Sequence, residues 1–353
     1  MFNMLFKKNK IQNIKALSGF LELPPKDQIV FNDLKKKISD IYETYGYTPL
    51  DLPTIERQEI LFAKAEGEIK NEVYKIDKGD NELALRYDLT VPLSRYVASN
   101  YNEITFPFKR YQIEKVFRGE RAQRGRFREF YQCDIDIIGD GSLDLKNDAE
   151  IVSVIYSVFS KLNVGPFNIK LNNKKVLNGF LNNLSLNDKK VEISRVIDKY
   201  DKVGEEKVRS MLSDLKLSND KIDLILDFIL ISGNNFEIIE RLEEMNINDE
   251  DYELGVGELK TVISLLELFE IPDDYYSIDL KIVRGLDYYT GTVYETFLID
   301  YPDLGSVCSG GRYEDLASAY CDRKLPGVGV SIGLTRLFTY LNDEGVFNDK
   351  QNY

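Results

Sequence analysis

The fold is decided by residues 106–138, FPFKRYQIEKVFRGERAQRGRFREFYQCDIDII. Polar and apolar residues alternate at both ends of this stretch, and aromatic and β-branched side chains are frequent, as is typical of strands with one buried face. The middle, FRGERAQRGRFREF (117–130), is rich in arginine and glycine. Two alternating segments around such a centre predict a long antiparallel hairpin.

The centre of the predicted hairpin concentrates positive charge. Eight basic and two acidic residues lie between Pro107 and Arg128, a local balance of +6 in a chain whose net charge is −13. Neighbouring arginines repel one another and need an anionic partner or open solvent, and guanidinium groups suit phosphate oxygens. A solvated hairpin with outward-pointing arginines explains the composition equally well, so both interpretations stay open at this point.

Two further motifs combine polar side chains with glycine. Residues 283–291, VRGLDYYTG, contain Arg284 and two tyrosines at a predicted strand end, which could bind an anion and a polar ring. A hairpin turn with a cross-strand tyrosine pair is the simpler interpretation. Residues 305–313, GSVCSGGRY, precede 327–337, GVGVSIGLTRL, where Gly327, Gly329 and Gly333 predict close approach of a ligand or backbone before Arg336 enters a helix. Because neither a phosphate-binding loop nor a dinucleotide fingerprint is present, we expect arginines to hold any nucleotide.

Outside these motifs the periodicity predicts a mixed α and β organisation. We expect a helix after Pro24-Pro25 that Gly46 ends, a strand-to-helix change over 83–101, and a helix over 150–163. Strands are predicted at 47–53, 167–171, 278–283 and 292–299. Residues 175–270 have helical spacing and predict a helical insertion, with one continuous domain as the alternative; the acidic residues 248–253 predict a solvated turn.

Composition excludes several classes of site. The 353 residues, 43% hydrophobic and 30% charged, fit a globular chain of two or three domains. No histidine is present, so histidine-based catalytic triads, general bases and zinc sites are excluded. Cys133, Cys308 and Cys321 are too few for a disulfide framework or a four-thiolate metal site. Without any run of roughly 18 apolar residues, we expect a cytoplasmic chain with no membrane contact.

Taken in order, four segments resemble the catalytic core of histidyl-tRNA synthetase, a class II aminoacyl-tRNA synthetase. They are 85–93 (LRYDLTVPL), 117–138, 284–291 (RGLDYYTG) and 327–337. The resemblance covers about residues 18–345 and makes 47–56 the dimer motif, 108–138 the second motif and 327–340 the third. It implies an α+β fold with an antiparallel sheet flanked by helices, and a homodimer. The implied domain segments are 1–174 and 271–353 for the core, with 175–270 as the helical insertion.

The same resemblance implies roles for individual residues. It assigns ATP binding to Arg118, Glu120, Arg126 and Arg336, with Arg118, Arg284 and Arg336 as the catalytic cations. It assigns histidine binding to Asp88, Gln132, Asp136, Arg284, Tyr288, Tyr289 and Tyr313, with Asp136 and Tyr289 reading the imidazole ring. It assigns contact with the tRNA(His) acceptor end to Arg121 and Gln123. Mg²⁺ is expected to arrive with ATP, without a metal site formed by the protein alone.

One feature departs from the synthetase pattern. The family continues behind the third motif into an anticodon-binding domain, which we expect to be absent because the sequence reaches Tyr353 soon after that motif. The alternatives are the regulatory subunit of ATP phosphoribosyltransferase, which would bind the catalytic subunit of that enzyme, and a non-catalytic histidine-sensing module. The pairing of Arg118 with Arg284 favours the synthetase, since a sensor does not need two phosphate-facing arginines.

Overall fold

A computed structural model describes residues 14–63, 69–123, 125–283, 288–314 and 316–348. Its strands are β1 (Thr48–Pro49), β2 (Ile55–Arg57), β3 (Lys75–Lys78), β4 (Asn81–Leu85), β5 (Phe108–Phe117), β6 (Glu129–Ile138), β7 (Phe167–Asn173), β8 (Tyr276–Ile278), β9 (Thr292–Leu298), β10 (Cys308–Tyr313) and β11 (Gly327–Gly333). Its α-helices are α1 (Pro25–Thr44), α2 (Gln58–Phe62), α3 (Ile69–Glu72), α4 (Thr90–Ser99), α5 (Lys146–Leu162), α6 (Lys174–Asn183), α7 (Lys190–Ile197), α8 (Tyr200–Val203), α9 (Glu205–Asp214), α10 (Asn219–Ile229), α11 (Asn235–Glu244), α12 (Glu250–Leu268) and α13 (Leu334–Asp343).

A large sheet organises the molecule, with the strand order β1-β5-β6-β11-β10-β9-β7-β8. The six strands from β5 to β7 pair antiparallel, whereas β1 and β8 join the two edges in parallel. The predicted hairpin is confirmed as β5 and β6, which pair from Phe108 opposite Ile138 to Phe117 opposite Glu129. The predicted antiparallel sheet is therefore confirmed for its six central strands, whereas the two edge strands pair in parallel.

One face of this sheet is covered by helices. On α1, the apolar side chains Val30, Leu34 and Ile38 are buried and belong to one hydrophobic cluster with α5 and the sheet. Because successive side chains of a strand point to opposite faces, β6 contributes Cys133, Ile135 and Ile137 to this cluster. The even-numbered residues of β6 are thereby directed to the other face.

The predicted insertion is helical, from α6 through α12. Its interior is apolar: the rings of Phe180 and Phe228, for example, stack with centroids 4.0 Å apart. The buried side chains of these helices belong to the same hydrophobic cluster as the sheet and α5. The division of the chain into core and insertion domains stays a prediction.

Three local predictions were wrong. The strand predicted over 278–283 includes only its first residue, because β8 ends at Ile278 and a turn follows in which the Ile282 amide donates to the Asp279 carbonyl oxygen at 3.1 Å. Residues 248–253 do not form a solvated turn, because α12 begins within them and Tyr252 is buried. The Asp249 side chain accepts a hydrogen bond from the Tyr252 amide at 3.1 Å, and acidic residues are favourable in a first helical turn. The strand predicted over 47–53 is reduced to Thr48–Pro49, since two prolines limit its ladder hydrogen bonds.

None of the helices in the described ranges combines the length and the apolar character that crossing a bilayer requires.

Candidate active site

A cleft of about 430 Å³ lies over the sheet face opposite α1 and α5. Strands β6, β10 and β11 form its bottom, and the β5–β6 connection and the start of α13 form its edge. Ten residues singled out by the sequence line it: Asp88, Arg118, Glu120, Arg126, Gln132, Asp136, Tyr288, Tyr289, Tyr313 and Arg336. The fold therefore brings together side chains that are up to 248 positions apart in the sequence.

Three side chains of β6, which we call the floor residues, form a polar row along the bottom of the cleft. They are Gln132, Asp134 and Asp136, and they alternate with the core residues Cys133 and Ile135. At about 3.3 Å per residue, the row spans about 13 Å. A single strand thus presents two carboxylates and an amide to one elongated ligand.

Small residues on β11 make room for this row. Gly329, Ser331 and Gly333 lie opposite Asp136, Asp134 and Gln132. A Cβ atom on Gly329 would lie 2.2 Å from Asp136 Oδ1. At Gly327 it would lie 2.5 Å from the ring of Tyr313, whereas at Gly333 the nearest atom is 4.0 Å away. The close approach predicted at Gly327 and Gly329 is therefore made by the protein itself, whereas Gly333 leaves open space beside the cleft.

Asp136 is held in a buried network. Its Oδ2 lies 2.6 Å from Nη2 of the buried Arg110, and its Oδ1 accepts a hydrogen bond from the Tyr313 hydroxyl at 2.9 Å. Burial raises the pKa of Asp136 to about 6, while the Arg110 guanidinium and the Tyr313 hydroxyl act in the opposite direction. The carboxylate is thus oriented before any ligand arrives.

The neighbouring Asp134 is less well compensated. Burial raises its pKa to about 7; Arg110 lowers this value, Asp136 raises it, and a hydrogen bond from Ser331 lowers it. The Ser331 hydroxyl in turn accepts a hydrogen bond from Gln132 Nε2 at 2.7 Å. The floor residues are therefore linked through a serine on the adjacent strand.

Asp88 forms the wall beside the floor, between β4 and α4. Its Oδ1 accepts hydrogen bonds from the backbone amides of Thr90 and Val91 at 3.2 and 2.9 Å. Burial raises the pKa of Asp88, whereas these amides and the nearby Arg118 lower it. The start of α4 thereby fixes a partly buried carboxylate facing the cleft.

Four charged side chains, which we call the rim residues, line the edge of the cleft: Arg118, Glu120, Arg126 and Arg336. The Arg118 guanidinium lies over the rings of Tyr87 and Phe130, 4.5 and 5.1 Å from their centroids, and its Nε donates to the Tyr87 carbonyl oxygen at 3.3 Å. Stacking of this kind fixes the plane of a guanidinium group while it remains charged. Arg118 is therefore held in place at the border between floor and rim.

The other rim residues form a looser group. Arg126 Nη1 lies 3.3 Å from Glu120 Oε2, and the Arg126 side chain is 54% exposed. Arg336 donates to the backbone carbonyl oxygens of Leu304 and Ser306. Burial lowers the pKa of Arg336, and the positive charge of Arg126 lowers it further. Two cations that repel each other at the edge of a cleft favour an anionic ligand.

Three tyrosines enclose the Asp136 end of the floor. The rings of Tyr288 and Tyr289 are 4.5 Å apart, and Tyr288 meets Tyr313 edge to face at 6.2 Å. Aromatic walls with hydroxyl groups suit a flat ring that carries polar atoms. The cleft thus combines a carboxylate-rich end, an aromatic wall and an arginine-rich end.

Comparison with known proteins identifies the family. Residues 19–337 match the protein family described as histidyl-tRNA synthetase. A histidine–tRNA ligase of Clostridium tetani is 54% identical over 342 residues, which are 97% of this chain and 78% of that protein. The chain belongs to the histidyl-tRNA synthetase family.

Solved structures agree with this assignment. The histidyl-tRNA synthetase from Nostoc sp. has a TM-score of 0.87 at 41% identity, covering 95% of this chain and 76% of that one. An ATP phosphoribosyltransferase regulatory subunit/histidyl-tRNA synthetase from Bacillus halodurans shares the fold, with a TM-score of 0.80 at 22% identity over 93% of this chain and 83% of that one. The family, the α+β class II fold and the ligase class predicted from the sequence are confirmed.

Three residues that the sequence assigned are not part of the described cleft. Arg284 lies outside the described residues. Arg121 and Gln123 belong to the β5–β6 connection but do not line the cleft, and Gln123 exchanges backbone hydrogen bonds with Arg126. The roles assigned to individual residues stay predictions.

The sequence interpretation missed several residues of the synthetase cleft. Asp134 is one, although its position two residues from both Gln132 and Asp136 places it on the same strand face. Arg110 does not line the cleft, but its role was also missed: it was counted with the basic hairpin, yet it is buried and pairs with Asp136. Lys109 and Lys115 likewise pair with Glu150 and Glu129, so part of the basic cluster is neutralised within the protein. Glu72, Tyr87 and Phe130 also line the cleft without having been predicted.

Proposed function

We propose that this chain activates histidine with ATP to form histidyl-adenylate and transfers the histidyl group to the 3′ end of tRNA(His). The observation that carries the proposal is a single cleft, in a member of this family, that joins the carboxylates of the floor to the arginines of the rim. The floor suits a cationic amino acid and the rim suits a polyphosphate. The reacting groups would meet between them, next to Arg118.

The first step joins two anions. The histidine carboxylate oxygen attacks the α-phosphorus of ATP, a new O–P bond forms, and pyrophosphate leaves with the electrons of the broken bond. Fixed cations stabilise the charge that develops at phosphorus. We assign this role to Arg118, and to Arg284 from the sequence, while Arg336, Arg126 and Glu120 hold the nucleotide. Mg²⁺ enters as part of the ATP substrate, with phosphate oxygens among its ligands.

Selection of histidine rests on its two ring nitrogens. A carboxylate oxygen has two lone pairs, so Asp136 can accept a hydrogen bond from the imidazole while it keeps Arg110 and Tyr313. Tyr289 would face the other side of the ring, Tyr288 and Tyr313 would enclose it, and Asp88 and Gln132 would hold the α-amino group. A site that hydrogen-bonds a polar ring rejects apolar rings of similar size by a large factor.

The remaining assignments concern partners. We assign the tRNA acceptor end to Arg121 and Gln123, which lie on the loop at the edge of the cleft. A homodimer is proposed through residues 47–56, which contain β1 at the edge of the large sheet. The cytoplasm is the proposed compartment, because tRNA charging takes place where proteins are made.

Histidine-dependent exchange of labelled pyrophosphate into ATP tests the proposal. With Mg²⁺ present, we expect exchange with histidine and none with phenylalanine or glutamine. Arg336→Ala should reduce the exchange, whereas Arg209→Ala, on the exposed surface of α9, should not. Histidine binding without exchange would instead favour the regulatory-subunit or sensor alternatives.

A further inference from the structure

Asp134 occupies the centre of the floor without a complete set of partners. It is 3% exposed and lines the cleft between Gln132 and Asp136. Its Oδ1 has no hydrogen-bond partner among the described residues, and neither has Gln132 Oε1. Buried polar atoms of folded proteins are nearly always hydrogen-bonded, so two neighbouring acceptors at the bottom of a cleft indicate a ligand that donates.

The charges around Asp134 specify that ligand further. Asp88 and Asp136 both act on Asp134 as negative charges, and the guanidinium groups of Arg110 and Arg86 act on it as positive charges. Arg110 makes its ion pair with Asp136 at 2.6 Å. Asp88 accepts two backbone amides, whereas Asp134 has only the hydroxyl of Ser331. Asp134 is thus the carboxylate with the fewest hydrogen-bond partners of the three, and a cation with several N–H donors would complete them.

We propose that Asp134 is a third carboxylate for substrate binding, whose Oδ1 accepts a hydrogen bond from the α-ammonium group of histidine. This inference rests on the proposed function, since it takes histidine as the ligand. An ammonium group has three donors, so it can serve Asp134, Gln132 Oε1 and Asp88 together. The imidazole ring then extends along β6 toward Asp136, two residues further on.

The test compares two ligands that differ in the ammonium group alone. These are histidine and 3-(imidazol-4-yl)propanoate, and their dissociation constants are measured by calorimetry for the wild type and for Asp134→Asn. The wild type should bind histidine more tightly than the propanoate. Asp134→Asn should weaken histidine binding by about 10- to 100-fold, the range for a hydrogen bond to a charged group, and should change propanoate binding less than threefold, on the order of the scatter for neutral contacts.

Asp140→Asn is the matched control. Asp140 lies two residues after the end of β6, is exposed, and accepts a hydrogen bond from Tyr101 outside the cleft. This variant should bind both ligands as the wild type does. Asp134→Ser, which removes the charge with a smaller side chain, replaces Asp134→Asn if the latter does not fold.

The ammonium contact and the proposed activity can fail independently, and different outcomes contradict each of them. Unchanged histidine affinity in Asp134→Asn, or equal losses for both ligands, would overturn the ammonium contact, as would a wild type that binds both ligands equally. Absence of pyrophosphate exchange in a wild type that discriminates between the ligands would overturn the proposed activity and leave the contact intact.

Discussion

The floor and the rim of the cleft are built in opposite ways. The floor residues lie on one strand, paired on both sides, and Asp134 and Asp136 are each 3% exposed. The rim residues come from the β5–β6 connection and from α13, and the Arg126 side chain is 54% exposed. The floor is oriented by pairing within the sheet, whereas the rim carries repelling cations that an anionic ligand would bring together. Under the proposed function, the paired strand selects histidine and the open edge of the cleft neutralises the phosphates.

Arg118→Ala tests this division with the largest expected effect. Arg118 would act on charge that develops at the α-phosphorus, so its loss should lower the rate of adenylate formation by about 10²- to 10³-fold. Histidine affinity should stay close to the wild-type value because the floor is intact. Stopped-flow measurement of adenylate formation and calorimetry of histidine binding check the two halves.

Arg209→Ala provides the control for the general loss of an arginine. If Arg118→Ala lowered the rate of adenylate formation and the histidine affinity equally, the floor and the rim would not have separate functions. That result would place Arg118 in the ground-state binding of histidine.

Gly329→Ala tests whether the floor depends on its packing. The added Cβ would lie 2.2 Å from Asp136 Oδ1 and 2.5 Å from the Ile135 carbonyl oxygen. Overpacking of this kind costs about 1–3 kcal/mol of the free energy of unfolding, and histidine binding should weaken as Asp136 moves. Urea denaturation checks the first effect and calorimetry the second.

Gly257→Ala is the matched glycine control. Gly257 lies in α12, and a Cβ there meets nothing within 4 Å. The free energy of unfolding of this variant should rise by about 0.5–1 kcal/mol, because alanine has a higher helix propensity than glycine. If Gly329→Ala were as stable as this control, the floor would be more adaptable than the sheet register indicates.

The smallest expected effect is the pH dependence of stability that the buried carboxylates of the floor produce. The pKa of Asp134 is raised to about 7 and that of Asp136 to about 6, above about 4 for an unfolded chain. The folded protein therefore binds more protons than the unfolded one between about pH 4 and 7, so these groups lower the free energy of unfolding as the pH rises through that range.

Asp134→Asn removes part of this dependence. The difference in free energy of unfolding between this variant and the wild type should shift in favour of the variant by on the order of 1 kcal/mol from pH 5 to pH 8. This gain is expected even though the variant binds histidine less well. Urea denaturation at both pH values checks this. An identical stability difference at pH 5 and pH 8 would mean that Asp134 ionises as an ordinary exposed aspartate.

Much of the cleft could be predicted from local patterns. The alternation of residues 106–138 predicts β5 and β6, and the motif around Asp88 predicts the start of α4. The same alternation places Asp134 on the face of Gln132 and Asp136, but alternation alone does not show that this face lines a cleft. Arg110 was misjudged because local composition does not reveal that an arginine will be buried beside a carboxylate 26 positions later.

Local sequence patterns are sufficient to predict the hairpin, the helices at its flanks, the arginine- and glycine-rich edge and the resemblance to histidyl-tRNA synthetase. These follow from periodicity and from motifs of a few residues, which act over short distances along the chain. The pairing of β11 with β6, which places Gly329 opposite Asp136, is visible in the folded structure and not in the local pattern. Register between strands nearly two hundred residues apart depends on how whole faces bury their apolar side chains. The charge balance around Asp134 is set at that level, because it depends on which side chains the folded sheet brings together.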